Sequence, residues 1–210
     1  DSVDDTISLN EEMISTVSWM RQRYGIKYID GINCFIPPGK AARNGKEKIP
    51  EKNIGDEEAE IQVLTSEQHK CLLKIKDSIV NEKNESFLLH GVTGSGKTEV
   101  YLQAVSEALN QGKTSIVLVP EIALTRQVVQ RFAHRFGEDK IALLHSKLTV
   151  RQRYDEWSRV RSGKAKIIIG ARIGVFAPAE NLGLIILDEE HEATYKSDQT
   201  PKYDTVDIAA

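Results

Sequence analysis

The sequence predicts an α/β fold: a three-layer, RecA-like phosphate-loop lobe with a mainly parallel sheet, plus a short N-terminal helix and strand segment. Short apolar runs alternate with stretches of helical periodicity. The runs are rich in Ile, Val and Leu without polar alternation, which is typical of strands buried on both faces. A glycine-rich loop at 91–98 stands between one such run and a helical stretch, which favours a strand–loop–helix unit.

The first 60 residues differ from the rest in pattern. Residues 8–24 have a capping box at Ser8 and Glu11 and apolar residues at helical spacing, so they predict a helix. The run INCFIPPG at 32–39 predicts a short strand that ends at its prolines. Residues 40–60 have no apolar period and predict a linker. The predicted units are 1–39, 40–60 and 61–210.

The remaining chain alternates strands and helices in order. The predicted strands are 87–90, 115–120, 140–145, 165–170 and 182–190, and the predicted helices are 65–82, 97–111, 122–136 and 150–161. Gly112 and Gly137 stand where C-terminal helix caps belong. The chain starts at Asp1 and stops in mid-pattern, so we expect a fragment of a longer protein whose last unit is incomplete.

The composition is that of a globular protein with no general affinity for nucleic acid. The net charge is −3 at pH 7, so any DNA contact must come from local patches. Cys34 and Cys71 lack zinc-site spacing and indicate reduced thiols. No apolar run reaches membrane-spanning length and no signal peptide opens the chain. We therefore expect a cytoplasmic protein with no membrane partner.

The loop GVTGSGKT at 91–98 fits the pattern G-x-x-x-x-G-K-[ST]. Its glycines let backbone N–H groups point at phosphate oxygens, and the following helix N-terminus adds a favourable dipole. We expect Lys97 to reach the β and γ phosphates of ATP and Thr98 to ligate Mg²⁺. The residues predicted to hold the cofactor here are Gly91, Thr93, Gly94, Ser95, Gly96, Lys97 and Thr98.

A second motif, LIILDEEH at 184–191, places carboxylates at the end of an apolar strand. In a parallel sheet this end faces the ligand crevice. We expect Asp188 to hold Mg²⁺ and Glu189 to orient and deprotonate the attacking water, with Lys97 as the third catalytic group. An isolated acidic strand end would favour a solvated surface, but the phosphate loop upstream favours an NTPase.

Four strings make a family resemblance specific: HGVTGSGKTEVYL (90–102), LVPEIALT (118–125), GARIGVFAP (170–178) and ENLGLIILDEEHEATYK (180–196). They resemble the bacterial primosomal protein N′ (PriA) family of replication-restart helicases, over the first RecA-like lobe. The resemblance implies ATP hydrolysis coupled to 3′-to-5′ movement on forked or single-stranded DNA. It also implies single-strand-binding protein and primosome proteins as partners, and zinc only in a second lobe.

The resemblance also assigns residues 1–39 to the tail of a preceding DNA-binding region. In better-known members a winged-helix domain separates that region from the motor, but here only about 25 residues intervene, too few for a packed domain. Either this sequence lacks the winged helix or the domain was excised from it. A glutamine at the position of Gln68 reads adenine in the family. The motif Thr65-x-x-Gln68 is equally a capping box, and both roles remain open.

The DNA-contact candidates are Thr125, Arg126, Arg172, Tyr195, Lys196 and Tyr203. The first two stand at a helix start where N–H groups and a cation suit a phosphate. The aromatic and cationic residues after DEEH suit stacking on unpaired bases. Each has a plain alternative, namely a helix cap, a solvated cation or a packed tyrosine.

Two other functions compete with a DNA motor. One is a different phosphate-loop machine, such as a RecG-like or restriction-type translocase, a kinase or a transporter ATPase, although no LSGGQ-like stretch is present. The other is a nucleotide-binding module without turnover, because the resemblance places the arginine finger in the second lobe. For residues 1–210 alone we expect weak nucleotide binding and negligible hydrolysis.

Overall fold

A computed structural model describes residues 8–37, 63–92 and 94–210. The helices in this part are α1 Glu11–Tyr24, α2 Tyr28–Phe35, α3 Ser66–Val80, α4 Lys97–Asn110, α5 Arg126–Phe136, α6 Val150–Arg161 and α7 Thr205–Ala209. The four helices predicted after residue 64 are confirmed, with shorter ends. Gly112, just after α4, and Gly137, which caps α5, have the positive φ expected at helix ends. None of the described helices is long and apolar enough to cross a bilayer.

The described sheet has four of the five predicted strands, and all of them run parallel, as predicted. They are β1 Thr114–Leu118, β2 Ile141–Leu144, β3 Ile167–Gly170 and β4 Leu182–Leu187, in the order β2-β3-β1-β4. Every residue of β1 and β3 is buried, which explains why these runs lack polar alternation. Because all strands run the same way, their carboxyl ends meet at one edge of the sheet.

Both faces of the sheet are covered. Alternate residues of β1 point in opposite directions, so Ile116 and Leu118 belong to one core cluster and Val117 to another. The second cluster includes residues of α4 and α5. The first includes Met13, Val17, Met20, Ile26 and Phe35 from the N-terminal segment. The predicted three-layer arrangement is confirmed, and part of one covering layer comes from α1 and α2.

The N-terminal segment forms two helices and not a helix and a strand. The helix predicted over 8–24 is present as α1, but its cap is Asn10, whose side chain accepts a bond from Met13 N at 2.8 Å. The strand predicted over 32–39 is wrong, because Tyr28–Phe35 is helical. A Cβ on Gly31 would lie 2.9 Å from Val17, so this glycine permits close packing of α2 on α1. The predicted linker 40–60 lies outside the described residues.

The strand predicted over 87–90 is also absent. Residues 83–92 have no regular secondary structure, and Leu88 is 77% exposed. A strand requires a neighbour to complete its hydrogen bonds. The edge strand β4 lies across a cavity from this segment, and the two are not paired in the described sheet. The run at 87–90 therefore has the composition of a strand but is not hydrogen-bonded to any strand of the described sheet.

Candidate nucleotide site and candidate DNA contacts

The phosphate loop has a conformation that only glycines satisfy easily. Gly94 and Gly96 both have φ of +79°, in the left-handed region. A Cβ on Gly91 would lie 2.6 Å from Ser95 Oγ, and one on Gly96 would lie 2.5 Å from Gln68 Nε2. Thr93 lies outside the described residues. The loop is thus curled so tightly that side chains at two of its glycines would collide with neighbours.

The helix after the loop presents free N–H groups toward a ligand. Helix α4 starts at Lys97 with Gly96 as its N-cap, and no side chain caps it, so its first amides and its positive dipole end suit an anion. Lys97 Nζ donates to Gly91 O at 2.6 Å and lies 3.3 Å from Val92 O. The ammonium group is therefore held beside the loop, where a phosphate would replace these carbonyls as its partner.

The side-chain amide of Gln68 makes two hydrogen bonds, one through its oxygen and one through its nitrogen. Its Oε1 accepts from Thr65 N at 2.8 Å while Thr65 Oγ1 accepts from Gln68 N, which is the predicted capping box. Its Nε2 donates to Ser95 O in the phosphate loop at 2.7 Å. The capping role is confirmed, and the amide also braces the loop. Reading adenine stays a prediction, since the amide keeps a second N–H and a second lone pair beyond these two bonds.

The acidic motif lies at the carboxyl end of β4, as predicted. Asp188 N donates to Leu118 O at 2.9 Å, which extends the β1–β4 pairing by one residue. Glu189 follows with φ of +50°, an unusual conformation for a residue with a side chain. Its carboxylate is exposed and lies 3.7 Å from the imidazole of His191. The turn therefore directs Glu189 outward from the sheet end, accessible to a water molecule.

The two motifs meet in one cavity. The cavity of about 850 Å³ between residues 82–91 and β4 includes Gly91, Lys97, Tyr101 and Glu189 in its lining. Tyr101 Oη donates to Asp188 Oδ1 at 3.2 Å. Because Tyr101 is three residues after Thr98 in α4, both side chains project from the same face of the helix. The structure thus brings the phosphate loop, Thr98 and Asp188 to one side of α4.

Tyr101 is a site residue that the sequence analysis missed. Two features of the sequence could have indicated it. Tyr101 is one helical turn after Thr98, and the carboxylate of Asp188 at the strand end needs a hydrogen-bond donor. Burial, together with the charge of Asp188, raises the pKa of the Tyr101 phenol far above its usual value. The phenol therefore keeps its proton at neutral pH and acts as a donor.

Three of the candidate DNA contacts are exposed. Thr125 is the N-cap of α5, with Oγ1 accepting from Val128 N at 3.4 Å, and Arg126 is on the first helical turn. Lys196 is exposed, with its ammonium 3.8 Å from Asp204. All three can reach a phosphate, although Thr125 already serves as a helix cap. Their role in binding DNA stays a prediction.

The other three candidates differ. The two tyrosines are packing residues, which corrects the stacking prediction for them, whereas Arg172 is only half-buried and its contact with DNA stays a prediction. Tyr195 is 1% exposed and Tyr203 7% exposed, so neither ring offers a face to a base. Tyr203 packs edge-on against Phe176, with ring centroids 5.0 Å apart. Arg172 lies 5.8 Å from the Tyr203 ring and donates to Lys196 O at 2.6 Å. The loop after DEEH is therefore tied to the lobe by the residues predicted to contact DNA.

The geometry defines a class of protein: a phosphate-loop lobe in which an acidic strand end lies beside the loop. The family model of DEAD/DEAH box helicases matches residues 65–208. The chain belongs to this family, and membership implies use of a nucleotide such as ATP with a metal ion.

The relatives narrow the class to one kind of helicase. The chain is 48% identical over 146 residues to the replication restart protein PriA of Bacillus subtilis, covering 70% of this chain and 18% of that protein. It is 46% identical over 208 residues to PriA of Treponema pallidum, covering 99% of this chain and 31% of that protein. PriA of Haemophilus influenzae is 54% identical over 123 residues, 59% of this chain and 17% of that protein. The chain therefore spans less than a third of these relatives.

Proposed function

We propose that this chain is the nucleotide-binding lobe of an ATP-dependent DNA helicase that moves 3′ to 5′ and acts in replication restart and primosome assembly. The observation that carries the proposal is the cavity shared by Lys97 and Glu189, with Asp188 joined to α4 through Tyr101. The names of the relatives support the assignment to replication restart.

The residues fit Mg²⁺ and ATP by their chemistry. The tight glycine turn and the uncapped start of α4 suit a polyphosphate, and the Lys97 ammonium supplies a positive charge beside it. Thr98 and Asp188 offer the oxygen ligands that Mg²⁺ prefers. Bound Mg²⁺ would neutralise phosphate charge. Glu189, exposed at the end of β4, would accept the proton of the attacking water.

The proposed partners are forked or single-stranded DNA, single-strand-binding protein and primosome proteins, in the bacterial cytoplasm. Within this chain the exposed residues Thr125, Arg126 and Lys196 would form part of the DNA track. We also place a zinc site in the second lobe only, by resemblance. These assignments concern the whole protein.

The N-terminal helices belong, in this proposal, to the end of a preceding DNA-binding region that docks on the lobe. Trp157 Nε1 donates to Phe35 O at 2.7 Å, and Phe35 packs on Phe176. The match to the Treponema pallidum protein covers 99% of the chain, so it extends over the N-terminal helices as well as the lobe.

A narrower function fits residues 1–210 in isolation, namely nucleotide binding with negligible turnover. Among the described residues that line the cavity there is no arginine. An arginine finger raises the rate of phosphoryl transfer by about 10³–10⁵ where it has been measured. The chain alone would therefore bind ATP weakly and hydrolyse it very slowly.

The test is ATP hydrolysis and unwinding by the full-length protein. We expect hydrolysis to rise with forked or single-stranded DNA and unwinding to require a 3′ single-stranded loading strand. Duplexes with only a 5′ overhang serve as the matched substrate. Hydrolysis that does not respond to any DNA would favour another phosphate-loop ATPase.

A further inference from the structure

We propose that Tyr101 is a positioning residue for Asp188, and that its phenol holds the carboxylate in the orientation that binds the metal ion. The inference rests on the proposed function and deepens it, since it names a residue that determines metal affinity. The supporting contact is Tyr101 Oη to Asp188 Oδ1 at 3.2 Å. One carboxylate oxygen is thereby occupied, and Oδ2 stays available for the ion.

The backbone of Asp188 is already fixed by other bonds. Its N–H donates to Leu118 O at 2.9 Å. Its carbonyl accepts from Tyr195 Oη at 2.7 Å, and the same hydroxyl lies 3.0 Å from Leu118 O. Tyr195 is buried, so this contact is shielded from water. What remains free is rotation of the Asp188 side chain, and the bond from Tyr101 restricts that rotation.

The position of Tyr101 along α4 links the acid to the phosphate loop. Thr98 and Tyr101 are one helical turn apart and share a face. A helix turn is stiff, because each residue is held by main-chain hydrogen bonds. The distance between the Thr98 hydroxyl and Asp188 is therefore determined by a rigid element, as a metal held by both residues requires.

The direction of the hydrogen bond follows from the two groups that form it. A phenol O–H can donate, whereas an ionised carboxylate can only accept. The phenol donates and the ionised carboxylate accepts, which is a charge-assisted bond. Loss of the donor would leave the carboxylate free to rotate away from the metal.

A purely structural role for Tyr101 would give a different result. The ring packs with the core cluster that contains Leu102 and Val105, so Tyr101→Phe keeps the packing and removes only the hydroxyl. Outer-shell partners of metal ligands typically change metal affinity by about 10- to 100-fold. We expect Tyr101→Phe to raise the half-saturating Mg²⁺ concentration by that factor, with a smaller effect on the rate at saturating Mg²⁺.

The chain provides a matched control in Tyr24. Its hydroxyl also bonds to a carboxylate, Asp207 Oδ2, at 3.0 Å, but that contact joins α1 to α7. Tyr24→Phe removes the same kind of bond away from the acidic strand end. It should leave the Mg²⁺ dependence within twofold of the wild type.

The experiment uses the full-length protein and two readouts. The first is ATP hydrolysis titrated with Mg²⁺. The second is Mn²⁺ binding in the presence of a non-hydrolysable ATP analogue, followed by electron paramagnetic resonance, which does not depend on turnover. Asp188→Asn shows how far the Mn²⁺ affinity falls when the proposed metal ligand itself is lost.

The outcomes separate this inference from the proposed function. A 10- to 100-fold weaker Mn²⁺ affinity in Tyr101→Phe, with Tyr24→Phe unchanged, supports the positioning role. Equal Mn²⁺ affinity in Tyr101→Phe and the wild type overturns it, even where hydrolysis responds to DNA. A wild type whose hydrolysis ignores DNA, combined with a Tyr101-dependent Mn²⁺ affinity, overturns the helicase proposal and leaves the positioning role intact.

Discussion

The contact between Gly96 and Gln68 gives a prediction whose size follows from the structure. Gly96→Ala adds a Cβ at φ of +79° that would lie 2.5 Å from Gln68 Nε2. The amide is the flexible end of its side chain, so it would swing away. It would then lose its bonds to Ser95 O at 2.7 Å and Thr65 N at 2.8 Å. The substitution thus combines backbone strain with the loss of two hydrogen bonds.

The backbone strain and the lost hydrogen bonds each contribute to the change in the free energy of unfolding. A residue other than glycine in the left-handed region costs about 1–2 kcal/mol. Each hydrogen bond contributes about 0.5–1.5 kcal/mol, so two contribute about 1–3 kcal/mol. Gly112→Ala is the matched control, because Gly112 has φ of +71° and nothing lies within 4 Å of an added Cβ. We expect Gly96→Ala to destabilise the chain by about 1–3 kcal/mol more than Gly112→Ala.

Urea unfolding followed by circular dichroism measures both variants. A second pair places the same changes in a Gln68→Ala background, where the amide is gone. In that background Gly96→Ala and Gly112→Ala should lower the free energy of unfolding by similar amounts, because only the backbone strain remains. The four variants together form a double-mutant cycle. Equal costs for Gly96→Ala and Gly112→Ala in the wild-type background would refute the bracing role of Gln68.

Three further predictions concern other parts of the chain. Trp157→Phe should lower the free energy of unfolding by about 1–3 kcal/mol, because a carbonyl in a buried contact loses its donor, and urea unfolding measures the change. Lys196→Ala in the full-length protein should weaken DNA binding on all sequences and reduce the salt slope by about one, which fluorescence anisotropy at several salt concentrations measures. Burial raises the pKa of the Cys34 thiol to about 12, so at pH 8 it should react with Ellman's reagent far more slowly than the exposed Cys71, and denaturation should remove the difference.

Local patterns were sufficient to predict most of the phosphate-loop lobe. The phosphate loop requires glycines at particular backbone angles, so its conformation follows from the residues themselves. The apolar runs that became β1 and β3 are buried on both faces, so they contain few polar residues, which made them recognisable from composition. The acidic residues follow the last of these runs, so their place at the carboxyl edge of a parallel sheet was also predictable.

The errors came from interactions between distant residues. The run at 87–90 has strand composition, but a strand depends on a partner that composition does not reveal. Residues 32–35 read as a strand locally, whereas packing against α1 through Gly31 makes them helical. Tyr195 and Tyr203 have the composition of a base-stacking surface, yet their rings fill the core. Tyr101 was missed because its role depends on a contact with Asp188, which is 87 residues away.

The central claim is that the phosphate loop and the acidic strand end form one nucleotide site. Calorimetry of Mg²⁺–ATP binding to the full-length protein tests it most directly, comparing the wild type with Lys97→Ala. Lys166→Ala is the control, since this lysine contacts Gly112 O. We predict that Lys97→Ala loses binding by at least about tenfold, which corresponds to about 1.4 kcal/mol, while Lys166→Ala binds as the wild type. Unchanged affinity in Lys97→Ala would contradict the claim.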